Sequence, residues 1–180
     1  MLATLVAVAL APRLQLALVD STPQVKVDGV WKGKLVYRNV GQGDLTTYVK
    51  AASQYGVHRA PTTVIQFRKI GAKEWRPAYV SPDCGNSNPI EPTDFQRIKP
   101  GGEVQVEATF TWSKLVVAAD PEPGEFEVRV TFDTRAPIDR WIGGPLTEPA
   151  HSERRKSVQG LYDATPHDLF ATNVVRVTVR

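Results

Sequence analysis

The sequence predicts an all-β fold: an antiparallel β-sandwich of seven to nine strands, one domain over residues 1–180, with a long insertion at 134–169 before the last strand. Three observations predict it. Two late runs, each launched by Pro-Gly, alternate apolar and polar residues without a break. Val104, Val106, Ala108, Phe110 and Trp112 share one face of the first, and Phe126, Val128, Val130 and Phe132 one face of the second. Such period-two alternation marks strands with one face in a core and the other in water. Shorter strand-like runs recur between Pro, Gly and Asn punctuation. Finally, no segment sustains a 3.6-residue apolar period, so helices are expected to be few and short.

The elements follow in order. Residues 2–11 are an apolar run of signal-core length, too short to span a bilayer, with no Lys or Arg before it. It reads equally as a signal remnant or as an edge strand, and 14–19 reads as a strand. A short strand follows in 21–29, where Pro23 confines it to an edge. In 30–40, Trp31, Gly33, Leu35 and Tyr37 fall on one face, and the run leaves through Asn39-Val40-Gly41. Strands are expected in 45–52 and in 62–70, where β-branched and aromatic residues gather, with a hairpin into 74–80. Residues 81–93, with three prolines, read as a loop. Residues 94–98 lead into the first Pro-Gly strand, and the run 171–180 places Val175, Val177 and Val179 on one face to close the sheet. The core is expected at Leu35, Tyr37, Ile65, Phe67, Val106, Phe110, Phe126, Val128, Val130, Val175 and Val177. Between 134 and 169 the spacing breaks; structureless stretches beyond about 12–15 residues are usually functional or disordered.

Composition excludes several classes. A net charge of +3, with basic residues dispersed, does not point to nucleic acid, and nothing is long enough for a membrane span. Mean hydropathy of −0.25 fits a soluble domain. The lone Cys84 forms no intrachain disulfide, which leans towards the cytosol. The apolar amino terminus leans the other way, and an extracytoplasmic or cell-surface location is slightly favoured.

Catalytic chemistry finds little footing. His58, His151 and His167 lie in no metal-ligand spacing. His151 and His167 with Glu153, Asp163 and Asp168 share the insertion, but solvated side chains are the plainer reading. Cys84 beside Asp83 is disfavoured as a thiolate, and pairing it with His58 as nucleophile and base matches no motif. No enzyme, metal or cofactor is expected. Trp31 and Trp112 belong to core series. Trp75, in a hairpin, and Trp141, beside Arg140, are the aromatics that could stack on a sugar or anchor an interface. The alternative for Trp141 is that it folds back and covers an open sheet edge.

The order Phe95-x-x-Ile98-x-Pro100-Gly101, a polar strand, Pro123-Gly124-Glu125-Phe126, then Thr172-Asn173-Val174 and a Val-rich strand resembles bacterial immunoglobulin-like domains. It is similar to surface and lipoprotein sandwiches and to the intracellular proteinase inhibitor type. Phe126 stands where tyrosine is usual, and the insertion is longer than such domains carry. The resemblance implies an immunoglobulin-like sandwich and no active site.

The functional expectation is a non-catalytic module for protein–protein interaction, as a surface or assembly component. Arg140, Trp141, Arg154 and Arg155 form its protein-facing surface, with Trp75 a further binding residue. The Glu153-Arg154-Arg155-Lys156 run, net +2, suits an acidic partner. Alternatives are a carbohydrate-binding module using exposed Trp and a proteinase-inhibitor-like binding domain.

Overall fold

The computed structural model describes residues 11–20, 22–53, 60–78, 90–112, 123–142 and 149–180. Among them the strands are β1 (Leu14–Asp20), β2 (Gln24–Val25), β3 (Val30–Asn39), β4 (Leu45–Tyr48), β5 (Ala52–Ser53), β6 (Thr62–Lys69), β7 (Arg76–Pro77), β8 (Phe95–Ile98), β9 (Glu103–Thr111), β10 (Gly124–Asp133), β11 (Leu169–Ala171) and β12 (Val175–Val179). Helices α1 (Ile138–Ile142) and α2 (Pro149–Asp163) stand between β10 and β11.

One sheet runs β1-β3-β9-β5, and the other β2-β12-β10-β6-β7 with β11 also paired to β10. Their apolar faces meet: Tyr37 of β3 packs edge-on against Phe132 of β10 at 5.6 Å. Trp112, one residue past β9, meets Phe126 at 4.7 Å and Phe67 at 5.4 Å. This is the expected all-β sandwich of two sheets. The strand faces are those the alternation assigns: nine of the eleven expected core residues are buried. Val106 and Val175 are half-buried and pack against that core.

The Pro-Gly launch of β9 is a tight turn, in which the Gly102 amide donates to the Lys99 carbonyl at 2.9 Å. Gly101 occupies its third position with φ +73°, the left-handed region open to glycine, while Pro100 presets the position before it. The exit of β3 is organised by Asn39, which is wholly buried. Its amide nitrogen donates to the carbonyls of Gly43 (2.7 Å) and Ile98 (2.9 Å), and its oxygen accepts from the Gly41 amide at 3.0 Å. The neighbouring backbone is so close that a Cβ on Gly41 would strike the Ala11 carbonyl and the Arg13 amide.

Four expectations need correction. The sandwich is not wholly antiparallel: β2 runs parallel to β12 and β5 parallel to β9. These are two-residue pairings between distant segments, which local patterning does not encode. Twelve strands appear among the described residues instead of seven to nine, because short ones of two or three residues border the long strands and β4 and β8 form a separate pair. The last strand is divided, with β11 and β12 pairing successive stretches of β10. Finally, the insertion is helical and α2 is fifteen residues long. Its apolar side is a single short stripe, Val158, Leu161 and Tyr162, too brief to register as a sustained period.

The second apolar segment is β1, as expected. Residues 2–10, His58, Asp83 and Cys84 lie outside the described residues. No helix among the described residues is long and apolar enough to cross a membrane.

Candidate functional site

The insertion begins and ends at one point of the second sheet, because Asp133 and Leu169 are register partners. Thr134, wholly buried, clamps that neck. Its amide donates to the Asp168 carbonyl at 3.0 Å, and its hydroxyl oxygen accepts from the Asp168 amide at 2.9 Å. The hydroxyl proton faces the Pro166 carbonyl at 2.7 Å, and His167 Nδ1 lies 2.9 Å from the Thr134 carbonyl, the contact of a ring N–H donor.

Beyond the neck, α1 places Ile138, Trp141 and Ile142 at the i, i+3, i+4 spacing of one helix face, and all three are buried. Trp141 is 1% exposed. Its ring stacks on Phe95 of β8 at 6.1 Å and 16°, and meets Tyr48 of β4 edge-on at 5.9 Å. From the other side Tyr162 of α2 contacts it at 5.1 Å and 87°, and His167 at 6.3 Å. The insertion is thus held twice, by the Thr134 neck and by an indole pressed onto the β4–β8 pair. Burial, reinforced by the Asp163 and Asp139 carboxylates, holds the Tyr162 hydroxyl above the usual phenol range.

The expected protein-facing residues therefore separate. Trp141 is buried among Phe95, Tyr48 and Tyr162 and so is unavailable to a partner. Arg155 ties the two helices together: its guanidinium reaches Asp139 of α1 at 3.2 Å and its Nε donates to Gln159 at 3.0 Å. Arg140 is exposed and Arg154 half-exposed, and they lie outside these contacts with exposed Glu153 and Lys156.

Trp75 sits elsewhere, half-buried beside β7 against the outer face of the second sheet. Two guanidinium carbons approach its ring centroid, Arg129 at 4.2 Å and Arg68 at 4.5 Å. Cross-strand register sets this up: Arg129 of β10 opposes Gln66 of β6, and Arg68 opposes Glu127, so the two arginines are diagonal neighbours. Arg68 Nε donates to Glu127 at 2.6 Å, and Arg129 Nε donates to Gln66 at 2.8 Å. Burial, then the positive charge of Arg68, holds the Arg129 guanidinium below its usual range. The sequence reading singled out Trp75 but missed Arg68, Arg129, Gln66 and Glu127. The alternation places all four on the solvent side of their strands, and only pairing β6 with β10 brings them together.

Among the described residues, no group of three or more His, Cys, Asp or Glu side chains could hold a metal ion. His167 is engaged at the neck.

No protein-family model matches the sequence, and no curated protein matches it. Among solved structures, the chain is similar to a β-glucosidase from Erythrobacter marinus, with 12% identity, TM-score 0.39 and 94% of this chain covered. It is similar to a β-glucosidase from Listeria innocua in complex with glucose, with 12% identity, TM-score 0.36 and 93% of this chain covered. The chain spans only 16% of the length of each of these enzymes. It is also similar to a CARDB domain from Pyrococcus furiosus solved in complex with di-metal ions, with 10% identity, TM-score 0.37 and 94% of both chains covered.

Proposed function

We propose that this chain is a non-catalytic β-sandwich module that binds another protein through its helical insertion. One observation carries the reading: the insertion is a built element held at two points, with its apolar side turned inward and cationic groups left outside. Trp141 and Ile142 of α1 and Val158 of α2 are buried, while Arg140, Glu153 and Lys156 are exposed. A mixed surface with a basic excess on a rigid support recognises an acidic partner chiefly by steering and register. The Arg155–Asp139 pair links the two helices that carry Arg140 and Arg154.

The carbohydrate reading draws less support. A sugar stacks on an open aromatic face; Trp141 presents none, and the Trp75 ring already receives two guanidiniums.

The test is affinity capture from extracts of the native host, comparing the intact chain with an Arg140→Glu, Arg154→Glu, Lys156→Glu variant. The expected result is loss of a specific partner from the variant, with the native partner released by moderate salt. An unchanged partner set on a folded variant overturns the assignment of the insertion as the docking element.

A further inference from the structure

We infer that the outer face of the second sheet around Trp75 is a carboxylate-recognition site, built to receive Glu or Asp side chains of an acidic peptide segment. This proposal is independent of the insertion.

Three features lead to it. Two guanidiniums converge on one indole, Arg129 at 4.2 Å and Arg68 at 4.5 Å from its centroid. Between them they hold one carboxylate: Arg68 is paired with Glu127 at 2.6 Å, and no carboxylate among the described residues lies within ion-pair distance of Arg129. Each Nε is already committed, to Glu127 and to Gln66. The terminal amino groups of Arg129 have no acceptor among the described residues.

A half-buried guanidinium beside a second one is unfavourable as it stands, consistent with the depressed basicity of Arg129. An arriving carboxylate relieves both penalties, because it is opposite in charge and its two oxygens match the planar fork. Gln66 and the indole restrict the guanidinium beforehand, so less side-chain entropy is lost on binding. A peptide carboxylate suits the site better than an acidic sugar, because the indole face that a pyranose ring would use is engaged by arginine.

Calorimetric titration with an amino- and carboxy-blocked hexaglutamate peptide at low salt tests this directly. Trp75 emission provides a second readout, since Trp31, Trp112 and Trp141 are buried. Saturable binding with a change in emission is expected, weakened about tenfold or more by Arg129→Gln, and weakened also by Arg129→Lys, which keeps the charge but loses the fork. Arg68→Gln provides a second variant if Arg129→Gln fails to fold. Arg97→Gln, on the separate β4–β8 pair, is expected to leave binding unchanged. Absence of saturable peptide binding, equal affinity in folded Arg129 and Arg68 variants, or binding of oligogalacturonate in place of the peptide each overturns the proposal.

Discussion

Asn173 replaces a stretch of backbone. Its side-chain oxygen accepts from the Leu18 amide at 2.8 Å and its nitrogen donates to the Leu18 carbonyl at 3.0 Å, so one amide plays the part of a neighbouring strand at the edge of β1. Thr172, just before it, has its hydroxyl oxygen accept from the Val130 amide at 3.0 Å and donate to the Asn173 carbonyl at 2.7 Å. The division between β11 and β12 therefore links the two sheets where a continuous strand could not. Asn173→Ala is expected to cost about 1–3 kcal/mol, read as a lower urea midpoint with unchanged slope. Asn39→Ala removes the donor to the buried Ile98 carbonyl and the part-buried Gly43 carbonyl, and is expected to cost at least as much in the same measurement. Phe110→Ala, in a site 2% exposed, is expected to cost ~3–5 kcal/mol; a cost near zero contradicts its place in the core. The Thr172-Asn173 pair was legible as a motif, but its task was not, because Leu18 is 155 residues away in the chain.

At the scale of elements, the long strands could be read from sequence and the helices could not. In β10 every second residue from Phe126 to Phe132 is buried, a pattern any period-two reading detects. The signals for α1 and α2 are single i, i+3, i+4 triplets, Ile138-Trp141-Ile142 and Val158-Leu161-Tyr162, set in a polar stretch that looks like loop. Most stability of so polar a helix comes from tertiary anchoring rather than propensity. Trp141→Ala is thus expected to release the insertion: amide exchange in α2 accelerates while β9 and β10 stay protected, and the helical circular-dichroism signal falls. Uniform protection loss across all strands contradicts this local release. Trp141→Phe, which keeps a ring against Phe95 and Tyr48, is expected to retain most of the protection.

For the molecule as a whole, patterning decided which face of each strand is buried, whereas strand order depends on contacts between distant segments and was not readable. Two surface carboxylates make part of the stability depend on pH. Asp133 is held below its ordinary value of 3.8, chiefly by the Arg135 side chain, and Glu103 below 4.5, chiefly by Arg38 and then Gln105. Carboxylates depressed in the folded state contribute stability that is whole above their unfolded values and lost as pH falls through the lower folded ones. The urea midpoint is expected to stay level from about pH 7 to pH 5 and to decline below about pH 4. Asp133→Asn is expected to make that decline shallower, and an identical pH profile in the variant contradicts the assignment.

The shared doorway of the insertion bears on how the chain reaches its native state. β10 and β11 must find each other across 35 intervening residues, from 134 to 168, before Asp133 can face Leu169. For a flexible segment the entropic penalty of closure grows with the logarithm of its length. Helical turns form locally and early, on timescales shorter than long-range strand pairing. With α1 only five residues long and α2 polar, neither persists before it is anchored, so that penalty is met largely by flexible chain. Replacing α2 residues with glycine is then expected to speed unfolding more than it slows refolding, which stopped-flow chevrons resolve directly.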